Sequence, residues 1–257
     1  MTLKQKKKIV VLSGAGISTD SGIPDFRGEN GYWTSVSPIE PLSNSFYTRR
    51  PKVFWKLYKD LFKIKLTGQH QPNPGHLLIR ELEKFAEVTV LTQNIDGLHQ
   101  DAGSTKVFEM HGTYKTATCP KCKKVYDLNF INQQDIPRCT RINAKKRACA
   151  FILKPDVVLF GDTIRHWREA EEAVRSADIC LIIGTSLQVS PFNLLPGLVA
   201  SRGGRLVFIN QEGTEQDGRM HEIRKGNITT ELSLWMEEMY PEAIIESSKE
   251  SEEQKKT

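Results

Sequence analysis

The chain has 257 residues, 39% of them hydrophobic and 26% charged, with a formal net charge of +5. That length holds one large domain, or one domain with a small insert, and the composition is that of an ordinary soluble globular chain. No apolar run approaches the roughly 18 residues of a membrane span, and a mild positive balance does not argue for nucleic acid. The N-terminal stretch MTLKQKKKIVVL joins basic residues to an apolar run too short for a secretory signal, so a cytoplasmic chain is expected.

Ile9 to Leu12 is a β-branched apolar run and predicts the first strand. It breaks directly into Ser13-Gly14-Ala15-Gly16. A strand followed by closely spaced glycines lets backbone approach a phosphate, because glycine lacks the Cβ that would hold the anion off. The same pattern also serves as a plain tight turn, so alone it does not decide. A short helix is expected from about Ser18 to Pro24. Asp25, Phe26 and Arg27 follow in a loop, and residues 29–50 are polar and irregular. A dehydrogenase would supply there a second strand ending in an acidic residue about 20 positions on. None is present, and a loop segment takes its place.

Residues 51–66 carry apolar side chains at 53, 54, 57, 58, 61, 62 and 64, the spacing of a helix with one apolar face. A second such helix is expected over 76–85, with His76 as a cap or packing residue. Further strands are predicted over 87–92, 107–109, 156–160, 178–183 and 205–209, and helices over about 166–176, 191–201 and 230–239. Alternating strands and helices with short buried strands predict the α/β class, a doubly wound parallel sheet. Ligands of such sheets bind beyond the carboxyl ends of the strands. Those ends carry Gly14-Ala15-Gly16, Gln93-Asn94 with Asp96, His111, Gly161-Asp162, Gly184-Thr185-Ser186 and Asn210. Small, amide or titratable groups at every strand end point to a single site on one rim.

Four of the five cysteines fall between the strands at 107–109 and 156–160: Cys119, Cys122, Cys139 and Cys149. Cys-x-x-Cys presents two thiolates at the reach of tetrahedral zinc, and a polar, basic segment with little core of its own would need such a metal to fold. Cys139 and Cys149 are ten apart, wider than usual, so a loop must bulge between them. Zinc on all four is the leading reading; a three-cysteine or reactive-thiol arrangement is the alternative. Four thiolates leave no open position, which disfavours a catalytic zinc. Cys180 lies within an apolar strand and reads as core.

The motifs GAGISTDSGIPDFRG (14–28), TQNIDGLH (92–99), HG (111–112), CPKC (119–122), KPDVVLFGD (154–162), GTSLQVSP (184–191) and FIN (208–210) together resemble the sirtuins, NAD-dependent protein lysine deacylases. The resemblance spans about residues 5–240 and is similar to the bare catalytic core of microbial members. It implies a Rossmann-like NAD-binding domain over 1–115 and 154–245, with a helical and cofactor-loop insert at about 29–85. A zinc-ribbon-like insert would occupy 116–153, and a disordered tail 246–257. It implies NAD+ as co-substrate and one structural Zn2+. Gly14, Ala15 and Gly16 would take the pyrophosphate, and Asp25, Phe26 and Arg27 would close over the nicotinamide end. Gln93, Asn94, Ile95 and Asp96 would line the nicotinamide and ribose pocket. His111 would be the general base, with Asn94 and Asp96 holding the carboxamide. Gly184, Thr185, Ser186, Asn210, Gln211 and Asn227 would hold adenosine and its ribose. Val157, Phe160, Gly161 and Val189 would clamp an acetylated protein segment as an added strand. The expected enzyme acts as a monomer, without nucleic acid or membrane. Asp162 stands where the family has Glu, and residues 53–62 lack a Tyr-x-x-Arg pair, so a neutral acyl group, acetyl by default, is expected. Mono-ADP-ribosylation, longer-chain deacylation, a silent NAD-binding module and a zinc-ribbon nucleic-acid binder are the competing readings.

Overall fold

The computed structural model describes residues 5–25, 40–63, 67–142, 144 and 146–241. Its strands are β1 (Lys8–Ser13), β2 (Glu87–Thr92), β3 (Val107–Glu109), β4 (Gly112–Thr118), β5 (Val125–Asp127), β6 (Lys154–Val157), β7 (Ile179–Ile183), β8 (Arg205–Asn210) and β9 (Glu222–Lys225). Its helices are α1 (Asn44–Arg49), α2 (Pro51–Leu61), α3 (Pro74–Leu82), α4 (Leu98–Asp101), α5 (Leu128–Asn132), α6 (Trp167–Ser176), α7 (Leu195–Ala200) and α8 (Ile228–Met239).

Six strands form one parallel sheet in the order β3-β2-β1-β7-β8-β9. The direction of winding reverses between β1 and β7, the position where such a sheet opens a crevice. Successive strand residues point to opposite faces. On β1, Ile9 and Val11 enter a core with Ile79 and Leu82 of α3 and Leu232 and Trp235 of α8. Val10 and Leu12 enter the other, with Ala170 and Val174 of α6 and Leu195 and Val199 of α7. A strand covered on both faces has no use for alternation, and this is why it reads as a continuous apolar run. α3 begins before the predicted His76. The Asn73 side chain accepts from Gly75 N, Pro74 occupies the first turn, and His76 closes a capping box back to Asn73.

A second, antiparallel sheet has the order β5-β4-β6. This corrects two expectations. The run at 156–160 is not a strand of the parallel sheet; β6 covers 154–157 and pairs with β4. The sixth parallel strand is β9, a half-exposed, charged stretch whose sequence gives no buried-strand signal. Charge on such an edge also deters pairing with another chain.

The small sheet does have a core. Tyr114, Ala117, Tyr126 and Leu153 pack with Tyr47 of α1 and with Phe54, Trp55 and Tyr58 of α2. Trp55 Nε1 donates to Leu153 O at 2.7 Å, and Lys59 Nζ donates to Ile131 O at 2.8 Å. The helical segment and the cysteine segment, far apart in sequence, thus fold on one aromatic cluster. The wide Cys139–Cys149 spacing is a hairpin: Arg138 bridges Ile152 and Ile142 bridges Ala148, both antiparallel.

Candidate active site

At the crevice, Gly14 N donates to Ile183 O at 3.1 Å and Gly16 N to Gly184 O at 2.8 Å, locking the loop after β1 to the loop after β7. The glycines are needed for this contact. A Cβ on Gly16 would meet Gly184 Cα at 2.9 Å, and one on Gly184, where φ is +60°, would meet Ile17 N at 2.3 Å. A single 3₁₀ segment, Ala15–Ser21, follows the glycines.

These loops form one wall of a cavity of about 910 Å³. Of the residues singled out in the sequence, Gly14, Ala15, Gly16, Asp25, Gln93, Asn94, Ile95, His111, Val157, Phe160, Gly161, Gly184, Thr185, Ser186, Val189, Asn210 and Gln211 all line it. Asp96 is 2% exposed and lies behind this wall. Asn227 caps α8, accepting from Thr230 N at 3.1 Å, and it is the neighbouring Ile228 that lines the cavity. Phe26 and Arg27 fall outside the described residues.

A buried polar network underlies the cavity floor. Asn94 Nδ2 donates to Gly14 O and to Ser18 Oγ, both at 3.1 Å. Ser18 Oγ donates to Asp96 Oδ2 at 2.9 Å, and the other Asp96 oxygen accepts from Leu98 N at 3.0 Å. Thr185 Oγ1 donates to Gln93 Oε1 at 2.7 Å, joining the loop after β7 to the loop after β2. Below Ser18 lie His76, whose Nε2 is 3.4 Å from Ser18 Oγ, and His99, whose Nε2 is 2.8 Å from Ser13 Oγ. Burial pushes the His76 pKa down to about 4, opposed by Asp96, and holds His99 well below the usual histidine value, helped by His76. Both rings are therefore neutral at pH 7.

His111 follows β3, and its carbonyl accepts from Val158 N at 2.8 Å, so a backbone contact ties this residue to the segment 157–161. Burial pushes its pKa down to about 4, against a raising hydrogen bond to the Gln93 backbone. The ring is therefore in its proton-accepting form at pH 7. Asp162 Oδ2 accepts from Leu159 N at 3.0 Å and from Lys154 Nζ at 2.7 Å, closing the same segment into a tight loop.

Apart from this cavity, the sulfurs of Cys119, Cys122, Cys139 and Cys149 all lie within 4.8 Å of one another. The closest pairs are 3.4 Å (Cys122 and Cys139) and 3.7 Å (Cys119 and Cys149), too long for disulfides and near the spacing of sulfurs around a tetrahedral ion. The donor set fits one structural zinc, with no position left for a substrate. Cys180 is fully buried in β7, as expected.

Residues 14–191 match the model of the Sir2 family. The chain belongs to the Sir2 family. It is 46% identical over 230 residues to NAD-dependent protein deacetylase 2 of Geobacillus kaustophilus, covering 88% of this chain and 90% of that one. Its fold matches a solved complex of Sir2, p53 peptide and NAD+ with a TM-score of 0.77 at 33% identity, over 91% and 93% of the two chains. A Sir2 complex with deacetylated p53 peptide and 3′-O-acetyl ADP ribose matches with a TM-score of 0.81 at 34% identity, over 91% and 94%.

This Sir2 chain also uses residues that the sequence reading passed over. Ser18 joins Asn94 to Asp96, and a serine in a 3₁₀ turn carries no signal of that role. Leu42 and Phe62 reach the cavity from the helical segment, and Ile23, Leu159 and Ile164 complete its apolar lining. Glu212 lines the cavity beside Gln211, where the strand-end rule alone would have pointed.

Proposed function

We propose that this chain is an NAD-dependent protein lysine deacetylase that moves the acetyl group of a lysine side chain to ADP-ribose and releases nicotinamide. The observation that carries the reading is the union, in one cavity, of the glycine loops at the sheet crevice with His111 and a pre-ordered Asn94. NAD+, when bound, supplies a ribose carbon that becomes electrophilic as nicotinamide departs.

The roles of the chain's own residues follow from chemistry. The backbone of Gly14 to Gly16 and the Gly184-Thr185-Ser186 loop hold the phosphates and adenosine, with Asn210 and Gln211 at the far end. Asn94 is held by Gly14 O and Ser18, so its amide is fixed before substrate arrives, and fixed dipoles cost no reorganisation during reaction. Asp96 acts through Ser18 as the anchor of that geometry. Asp25 lies on the cavity wall at the end assigned to nicotinamide. Val157, Phe160, Gly161 and Val189 hold the acetyl-lysine peptide in an extended form, which brings its weakly nucleophilic carbonyl oxygen to the reacting carbon. His111, neutral at pH 7, takes the proton of a ribose hydroxyl. The four-cysteine zinc is structural. The apolar lining by Leu42, Phe62, Ile95 and Leu159 favours a neutral acyl group.

The test is mass spectrometry of one peptide bearing acetyl-, succinyl- or myristoyl-lysine, with and without NAD+. Loss of 42 Da (about one acetyl group) only when NAD+ is present is expected; succinyl preferred over acetyl, or turnover without NAD+, contradicts the reading.

A further inference from the structure

Charge is divided unevenly between the two parts of the molecule. Segments 40–67 and 112–157, whose described residues build the small sheet and its aromatic core, hold in sequence 17 Lys and Arg against 5 Asp and Glu, a net of +12. The whole chain is only +5, so everything outside those segments nets −7. Zinc held by four thiolates lowers the first figure by two, to about +10.

The excess is displayed on the surface. Lys52 and Lys56 of α2 are exposed, as are Lys121, Lys124 and Lys146 around the cysteine cluster. On α2 the lysines alternate with aliphatic neighbours, Val53 (46% exposed) and Leu57 (41% exposed), which share their outward face at a four-residue step. This surface adjoins the catalytic cavity: Phe62, just past the end of α2, and Val157, at the end of β6, both line it.

We propose that this basic lobe is a docking surface for an acidic segment of the acetylated substrate protein, separate from the cleft that takes the acetyl-lysine. The proposal rests on the deacetylase reading. The partner is a protein segment because the exposed apolar groups on α2 are aliphatic. They can cover hydrophobic side chains of an acidic peptide, and Phe151 (48% exposed), the lone exposed large aromatic among the described residues of the lobe, does not make the run of rings that stacks successive bases. Complementary charge of this kind speeds encounter and lowers KM while leaving the chemical step alone.

The experiment uses the zinc-loaded full chain and two acetyl-lysine peptides. Both carry a flexible Gly/Ser spacer of about 12 residues, long enough to reach roughly 20 Å. One ends in a run of Glu and Asp with interspersed Leu, the other in Gln and Ser. The expected KM for the acidic-tailed peptide is about five- to tenfold below that of the neutral one at 50 mM salt, with the same kcat, and the gap closes at 0.5 M salt. In the combined variant K52Q/K56Q/K121Q/K124Q/K146Q the two KM values converge on the neutral one, with kcat retained. Fluorescence anisotropy of the labelled acidic tail alone gives a readout independent of turnover, and binding should weaken by a similar factor in the variant. Equal KM values in the unaltered enzyme overturn the proposal. So does a 20-base-pair DNA duplex that binds the lobe more tightly than the tail, which assigns the surface to nucleic acid instead. Absence of turnover on both peptides counts against the deacetylase reading, whereas the anisotropy still judges the docking surface.

Discussion

His111 stands at the point where burial and chemistry pull against each other. Its ring is neutral because the charged form is poorly solvated, and that same environment makes it a weaker base than a free imidazole. A step that needs the neutral ring is supported down to the folded pKa. The acid limb of kcat/KM is therefore expected near pH 4, in short assays where circular dichroism shows the fold intact, and a limb at pH 6.5 or above contradicts the assignment. His111→Ala should lower deacetylated product by at least 10²-fold, the usual worth of a positioned base. Product formation equal to the unaltered enzyme contradicts its role. Ser18→Ala tests the floor of the cavity. It removes the donor to Asp96 and one acceptor of Asn94, so a roughly tenfold loss in kcat and a thermal midpoint lower by a few degrees (about 1–3 kcal/mol) are expected. Two residues of the cysteine knuckles, Lys123 and Ala150, hold positive φ values of +62° and +51°. This left-handed conformation costs a side-chain-bearing residue about 1–2 kcal/mol, partly offset by the extra unfolded-state freedom of glycine. Lys123→Gly or Ala150→Gly should raise the urea midpoint of the zinc-loaded chain, by several tenths of a kcal/mol in stability; a fall contradicts the strain argument.

At the scale of elements, the molecule depends on the shared core between α2 and the small sheet. Trp55 is fully buried and its indole nitrogen bonds to Leu153 O. Trp55→Ala is expected to cost about 3–5 kcal/mol and to loosen residues 112–157 along with α2, read as a joint loss of amide protection in hydrogen exchange. Protection lost in α2 alone would show that the two do not fold as one unit. Much of this architecture was legible in the sequence. β2 begins and ends where the apolar pattern predicts, because a strand buried on both faces leaves its composition as a mark; β3 also falls where predicted, though it is a half-buried edge strand. The glycine loops were legible because close backbone contact excludes other residues. β9 was not, since an edge strand with alternating charges looks like a loop. The 156–160 run was misassigned because Val157, Val158 and Leu159 are apolar for another reason: they form the cavity wall. The polar network through Ser18, His76 and His99 was hidden because its members lie far apart in sequence and meet only after α3 docks. The helix cap at Asn73 shows the opposite case, where Asn-Pro-Gly-His announces its own geometry.

At the scale of the whole molecule, three histidines carry protons more readily unfolded than folded. His76 and His111 sit at about 4 against an ordinary value of 6.5, and His99 lies well below that value. Between pH 6.5 and pH 4 the unfolded chain binds more protons, so stability is full above pH 6.5 and is lost as pH falls through that window. The thermal midpoint should drop steadily from pH 7 to pH 5. A midpoint flat over that range contradicts the buried, neutral state of the three rings. The structure brings together on one cavity the loops at the sheet crevice and Val157 at the end of β6 in the small sheet, the two parts proposed to take NAD+ and the peptide. The central claim is that these parts cut NAD+ and deacetylate lysine in one coupled reaction. Adenine-labelled NAD+ with an acetyl-lysine peptide tests it most directly. The account predicts that free nicotinamide, deacetylated peptide and a labelled, small acetyl-ADP-ribose form in equal amounts. Label that stays on protein, or nicotinamide released without deacetylated peptide, would contradict it.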